Sequence, residues 1–274
     1  MHERDLVRSV QKAWSSVKAV GVSELFSNPG SITISDEFKR LARDETVTYE
    51  NLYLEGLLGG QYNFQLADYS FFQFGITGIG ALRYAYYPNP FLGSSRQAIS
   101  ELAELRSYVD EGALDVDEFL RRVSELRYTQ HPPLVRYENA PSQYVELSHP
   151  CSHLHIGHYS ENRWPVRRVL TPLAFTLLLL KLFYADFWRE GEEIASGLER
   201  LSLDEVLATS KQHCPLLPED LFSGAAERQF FLAWPNLLLP PLGQDQRFSC
   251  ITTVPSLRLH ATYERCDIGL STST

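Results

Sequence analysis

The segment HPCSHLHIGHY, His149 to Tyr159, holds four of the eight histidines in the chain. In extended backbone, side chains at i and i+2 point the same way. The spacing therefore predicts that His153 and His155 share one face of a strand. His149 and Cys151 fall in line if the chain stays extended through Pro150, and Leu154 and Ile156 turn the other way, into a core. Two imidazoles so placed suit two chemistries. As a metal-free acid–base pair with Cα atoms about 7 Å apart, they flank a phosphodiester, one taking a proton from a 2′-hydroxyl and the other protonating the leaving oxygen. As ligands they chelate zinc at Zn–N about 2.1 Å, with a third or fourth ligand drawn from His149, Cys151 or Glu138. No zinc-type sequence spacing supports the second chemistry, so the first leads, and no metal or cofactor is expected. The plainest alternative makes the histidines hydrogen-bonding residues at a sheet surface or interface.

Two neighbouring segments supply charge. VRYENAP (135–141) brings Arg136 and Glu138, and NRWPVRR (162–168) brings Arg163, Arg167 and Arg168. Guanidinium groups stabilise charge developing on phosphoryl oxygens, the role expected of Arg136 and Arg167, with Glu138 orienting a histidine. Arg168 stands just ahead of a helix start, where an anion can be caught, and is assigned to substrate. Cys151 reads as a small buried filler, and His158, beyond Gly157, as structural or as a partner of the pair. LRYAYYPNPF could stack bases, but a core-facing aromatic strand is the simpler reading.

The elements that position these residues follow from periodicity. Leu6, Val10, Trp14 and Val17 recur at helical spacing over 5–20, and a short helix is expected at 34–44. From Thr46, TVTYENLYLEG and QYNFQLADYSFFQFGI read as strands joined at Gly59-Gly60, and ALRYAYYPNPF as a third strand ended by Pro88 and Pro90. Ser94 or Ser95 caps the first of two helices, over SRQAISELAELRSYVDEG and DVDEFLRRVSEL, which form a hairpin covering a sheet face. Thr171-Pro172 starts an apolar central helix running to about 188, and another helix is expected near 202–210. The fold class is α+β: a largely antiparallel, aromatic-rich sheet packed against a helical hairpin and a buried central helix. The organisation is a helical N-terminal segment (1–45), a core carrying the histidine strand (46–190) and a helical, irregular C-terminal segment packed on it (191–274), whose tail IGLSTST frays.

Composition narrows the class. At 274 residues and 44% hydrophobic the chain has length enough for a sizeable core, and its net charge of −9 argues against coating nucleic acid by charge alone. Cysteines at 151, 214, 250 and 266 form no C-x-x-C pair, as expected of reduced thiols in the cytoplasm. The first residues lack a secretory apolar core. The run from Leu170 to Trp188, interrupted by Lys181 and Asp186, is too short to span a bilayer, which takes about 20 residues. A cytoplasmic protein without a membrane partner is expected.

LRYAYYPNPF, VRYENAPSQYVELSHPCSHLHIG and WPVRRVLTPLAFTLLLLKLFY resemble an uncharacterised bacterial family, domain of unknown function 2290, over most of residues 45–190, which implies no activity. More loosely, RYENAP followed by H-x-H is similar to the short TumE toxins of bacterial toxin–antitoxin pairs, where an R-Y-D-N-A-P-like segment precedes a histidine pair. That likeness picks out Arg136, Tyr137, Glu138, Asn139, His153 and His155, with Tyr137 and Asn139 as substrate contacts. It departs at Glu138, where Asp is usual, and in the much greater length of this chain. It implies a toxin or phage-defence effector acting on RNA or a nucleotide, with a protein partner from the same operon. A histidine-triad nucleotide hydrolase is set aside, because Gly157 stands at the third position of H-x-H-x-H. Two rivals to the nuclease stay open: a non-catalytic sensor or regulatory subunit with an interface around RQFFLAWPNLLLPPL and Phe230, and a zinc-dependent hydrolase.

Overall fold

A computed structural model describes residues 1–125, 131–158, 162–197 and 201–225. All belong to one compact unit, Met1–Pro235. RQFFLAWPNLLLPPL, Phe230 and the tail IGLSTST lie outside the described residues.

Seven strands run in sequence order across one sheet: β1 (Ser23–Phe26), β2 (Phe64–Leu66), β3 (Phe71–Gly78), β4 (Ala81–Tyr87), β5 (Val135–Asn139), β6 (Ser152–Ile156) and β7 (Trp164–Pro165). Every neighbouring pair is antiparallel. The helices among the described residues are α1 (Glu3–Val20), α2 (Asp36–Leu41), α3 (Tyr49–Leu58), α4 (Arg96–Asp110), α5 (Val116–Glu125), α6 (Pro172–Phe183), α7 (Ala185–Gly197) and α8 (Leu203–Gln212). The protein is α+β, with an aromatic-rich antiparallel sheet. None of these helices is long and apolar enough to cross a membrane.

The two-residue period of the strands sorts side chains onto two faces. Phe72, Phe74, Tyr84, Tyr86 and Tyr137 turn to one face and pack with α1 and α6 in the main core. Phe175 of α6 lies at its centre, its ring within 6.4 Å, centroid to centroid, of those of Phe72, Phe74, Tyr84 and Tyr137. The start of α6 is set locally: the Thr171 side chain accepts the Ala174 N–H and Pro172 takes the first turn. The expected helix to 188 breaks at Tyr184 and resumes as α7. Tyr184 is buried, donates its hydroxyl to Asp68 at 2.8 Å and lies 2.9 Å from the Tyr86 hydroxyl. That polar anchor, reaching across from β2's turn and β4, holds Tyr184 at φ −122°, ψ 44°, outside the helical range.

Residues 46–58 differ from expectation. TVTYENLYLEG forms α3, not a strand, and Gly59 ends a helix rather than making a hairpin. The Thr48 side chain accepts the Asn51 N–H, and Leu52, Tyr53 and Gly56 fall on one helical face. Gly56 is required there, because a Cβ would lie 2.7 Å from Phe71 and 2.8 Å from Phe38. QYNFQLADYSFFQFGI also divides, into β2 and β3, at a turn where the Asp68 carboxylate accepts the Ser70 N–H and Tyr69 takes φ +63°. The helical hairpin forms as α4 and α5, Ser95 supplying the cap. Only Ile99 of it enters the main core, and α5 leaves Val116 and Leu120 exposed. α8 carries a capping box at Ser202 and Glu205.

Asp68 is fully buried, and burial raises its carboxyl pKa against the opposing hydrogen bonds from Tyr184 and Ser70. The folded state therefore binds a proton more readily than the unfolded state between the ordinary and the raised pKa, and stability falls as pH rises through that window. Asp68→Asn should flatten this dependence in denaturant midpoints measured against pH. Asp68→Ala, which removes the acceptor of the Tyr184 hydroxyl and of the Ser70 N–H, should cost about 2–3 kcal/mol. Equal stability of Asp68→Ala and wild type would refute the anchor.

Candidate functional site

Two cross-strand rows build the site on the sheet face opposite the aromatic core. In one, Arg83 of β4 pairs with Glu138 of β5, Glu138 with His153 of β6, and His153 with Pro165 of β7. In the next, Ala85 pairs with Arg136 and Arg136 with His155. On β3, Gly75 opposes Arg83 and Gln73 opposes Ala85, extending both rows. The far end of this face is apolar, where Phe71, Tyr87 and Leu134 are covered by Phe38 of α2 and by Leu52 and Tyr53 of α3. Register alone thus gathers the charged and imidazole groups at one end of a face.

The two imidazoles share this face, as their spacing predicts, but not in an open cleft. His153 is 0% and His155 6% exposed. Their Nε2 atoms lie 3.1 Å apart, with ring planes at 72°. His153 Nδ1 lies 2.7 Å from the Pro150 carbonyl oxygen. A carbonyl only accepts, so Nδ1 carries the proton and Nε2 presents its lone pair. Burial pushes the His153 imidazole down to about 4, outweighing the Pro150 carbonyl, and the nearby His155 lowers it further. His153 is therefore neutral at pH 7, and the His155 Nε2–H donates to it. The contact leaves no room for a phosphate between the rings, the arrangement expected of a metal-free acid–base pair.

One carboxylate oxygen of Glu138 and one ring nitrogen of each histidine lie within 4.8 Å of one another. The Glu138 carboxylate accepts no hydrogen bond among the described residues, its nearest cation being Arg83 Nε at 3.9 Å. Both side chains are about a quarter exposed (27% and 26%), so the cluster opens on the Glu138–Arg83 side. Arg83 Nε, Arg136 Nε and His149 Nδ1 are buried with no hydrogen-bond partner. Unpaired buried polar atoms are costly and uncommon, and here three surround one cluster.

That donor set can hold a cation when His155 carries its proton on Nδ1, which leaves both Nε2 lone pairs to the ion. Two nitrogens 3.1 Å apart, each about 2.1 Å from one ion, subtend about 95° at it. The angle lies between octahedral and tetrahedral values. The hydrogen bond to Pro150 fixes the tautomer and ring orientation of His153, as outer partners of metal-binding histidines do. Three protein ligands leave positions open for water or substrate, the pattern of catalytic rather than structural zinc sites.

The other sequence candidates lie elsewhere. Tyr137 and Asn139, at the alternate positions of β5, face the core. The Tyr137 hydroxyl lies 2.8 Å from Ser152 Oγ and accepts the Leu170 N–H at 2.9 Å, while Asn139 Nδ2 donates to the Gly80 carbonyl at 2.6 Å. The Arg167 guanidinium sits 5.8 Å from the Phe222 ring centroid, and Arg168 Nη1 donates to the Cys214 carbonyl at 2.8 Å. Tyr137 and Asn139 take the other face because β5 alternates, and Arg167 and Arg168 make these contacts with Phe222 and Cys214. Cys151 also leaves the line. The chain bends before β6 begins at Ser152, and Cys151 packs with Leu217 and Phe222. His149 lies edge-on to His153 at 5.1 Å between ring centroids, outside the three-ligand group. His158 Nε2 donates to the Val47 carbonyl at 3.2 Å. Ile156 is 40% exposed, since β7 covers only His153 and Leu154. Arg83 was missed. Its signal was the alternation in ALRYAYY, where Leu82, Tyr84 and Tyr86 claim the core face and leave Arg83 on the other.

Residues 19–219 match the model of the family described as Uncharacterized conserved protein (DUF2290). No curated protein and no solved structure matches the chain.

Proposed function

Since the chain belongs to the DUF2290 family, whose description carries no activity, we propose from the site alone that it is a metal-assisted phosphoester hydrolase. Glu138, His153 and His155 hold a divalent transition metal. The observation that carries this reading is the convergence of two buried imidazole nitrogens at 3.1 Å with a carboxylate that has no hydrogen-bond donor among the described residues. It departs from the metal-free chemistry expected of the sequence and keeps the phosphoester. The metal supplies Lewis acidity and lowers the pKa of water in an open position. Arg136 and Arg83 present guanidinium groups beside it, suited to the equatorial oxygens of a phosphoryl group. In the reaction a water oxygen bonds to phosphorus, the bond from phosphorus to the leaving alcohol breaks, and one proton passes to the leaving oxygen. The order RYENAP then H-x-H, like that of TumE toxins, supports RNA as the substrate and a toxin or defence setting.

The test is direct. The purified protein should hold about one divalent metal per chain by elemental analysis and should cleave RNA or bis(p-nitrophenyl) phosphate. Chelation should remove the activity and added Zn²⁺ or Mn²⁺ restore it. A protein that binds neither ion, or whose activity survives complete stripping, sinks the proposal. A non-catalytic, partner-binding role is the second reading, favoured by one observation: α5 exposes the apolar Val116 and Leu120.

A further inference from the structure

Beside the candidate metal centre, segment 31–34 runs along β3 and leaves a cleft of about 340 Å³ against β3 and β4, lined among others by Ser31, Thr33, Lys39, Gln73, Gly75 and Arg83. It exists because two positions in the cross-strand rows are small. Gly75 opposes Arg83, and Ala85 stands opposite both Gln73 and Arg136. The Ile32 carbonyl oxygen lies 3.4 Å from where a Cβ of Gly75 would stand, so segment 31–34 packs directly against this position. The Ile32 N–H donates to the Phe74 carbonyl at 2.9 Å and Ser31 Oγ accepts the Ile76 N–H at 2.9 Å, so the wall is tied to the sheet. Asn63 Nδ2 holds the preceding loop by donating to the carbonyls of Asn28 and Gly30.

Arg83 is the hinge between cleft and metal centre. It lines the cleft, it is the nearest cation to Glu138, and its buried Nε has no hydrogen-bond partner. Arg136, one strand over, presents a second buried Nε without one. Two guanidinium groups held in the sheet with unused donors fit an oxyanion that brings its own acceptors. The rest of the cleft mixes the hydroxyl and amide side chains of Ser31, Thr33, Thr77 and Gln73, and Lys39, with the apolar Ile32, Ile34, Phe74, Ile76 and Ala85. A sugar ring matches such a lining, its hydroxyls meeting the polar groups and its carbon face the apolar ones. The volume is at the small end of ligand pockets (~300–1,000 Å³), enough for one small organic phosphate and too little for a duplex.

We infer that this cleft is a sugar-phosphate subsite, with the phosphate between Arg83 and Arg136 and the hydroxyl-bearing group against Thr33 and Gln73. The inference rests on the hydrolase reading for its meaning, naming the part of the substrate that is gripped, but its test does not need a metal. Binding of inorganic phosphate and of ribose 5-phosphate to the chelator-treated full chain would be measured by calorimetry. Ribose 5-phosphate should bind about tenfold more tightly than phosphate. Arg83→Gln and Arg136→Gln should each weaken both ligands about tenfold or more, the loss of a charge-assisted hydrogen bond. Thr33→Val should weaken ribose 5-phosphate and leave phosphate unchanged. Arg83→Lys should restore part of the loss in Arg83→Gln, separating charge from folding. Unaltered phosphate binding in both arginine variants, or equal affinity for the two ligands, overturns the subsite. Intact phosphate selectivity in a chain that binds no metal upholds the subsite and sinks the hydrolase instead.

Discussion

His155→Ala is expected to empty the metal centre and to lower phosphoester hydrolysis about a thousandfold, roughly 4 kcal/mol of barrier. The size follows from the ligand count. With three protein ligands there is no spare, and His155 supplies one of the two nitrogens that fix the bite at 3.1 Å. Glu138→Gln is the sharper companion. It preserves volume and strand pairing while removing the anionic oxygen, so metal content should fall with the fold unchanged by circular dichroism. Metal content and rate should fall together in both variants, with added Zn²⁺ or Mn²⁺ rescuing Glu138→Gln in part. Full metal occupancy and full activity in both would show that the cluster is only a buried polar network. His153→Ala is less clean, because it also strands the Pro150 carbonyl.

The second large effect is on stability. Phe175→Ala should cost about 4 kcal/mol, in the range for deleting a fully buried aromatic ring. In a unit of this size that lowers the Tm by about 10 °C. Phe175 has no exposed surface and faces Phe72, Phe74, Tyr84 and Tyr137, rings from three strands. Phe175→Leu, which refills most of the space, should cost about 1 kcal/mol. Urea or thermal unfolding decides it, and a loss below about 1 kcal/mol for the alanine variant would contradict the packing. The consequence reaches the site. Tyr84 and Tyr137 hold the core face of β4 and β5, and their neighbours Arg83, Arg136 and Glu138 are thereby committed to the opposite face. A loosened core should weaken metal retention without a ligand being touched.

What the chain determines by itself is local. Alternation over SHLHI put both imidazoles on one side, Thr171-Pro172 started α6, and Pro88 closed β4, each from interactions within a few residues. The same local logic failed at TVTYENLYLEG, where β-prone residues became α3. There the Thr48 cap and the fit of Gly56 against Phe71 and Phe38 outweighed propensity. It failed again at Tyr184, where a hydrogen bond to Asp68, 116 residues away in sequence, interrupts an apolar helix.

The site divides along the same line. Its histidines, Arg136 and Glu138 were legible because strand periodicity is carried in each strand's own sequence. Arg83, the burial of the imidazoles and their 3.1 Å contact were not, because they depend on which residues of separate strands stand opposite each other. Likewise, nothing within NRWPVRR shows that Arg167 and Arg168 leave for the Cys214–Phe222 side. Side-chain direction is a property of one strand, whereas register and depth belong to the assembled sheet, and the candidate site is made of both.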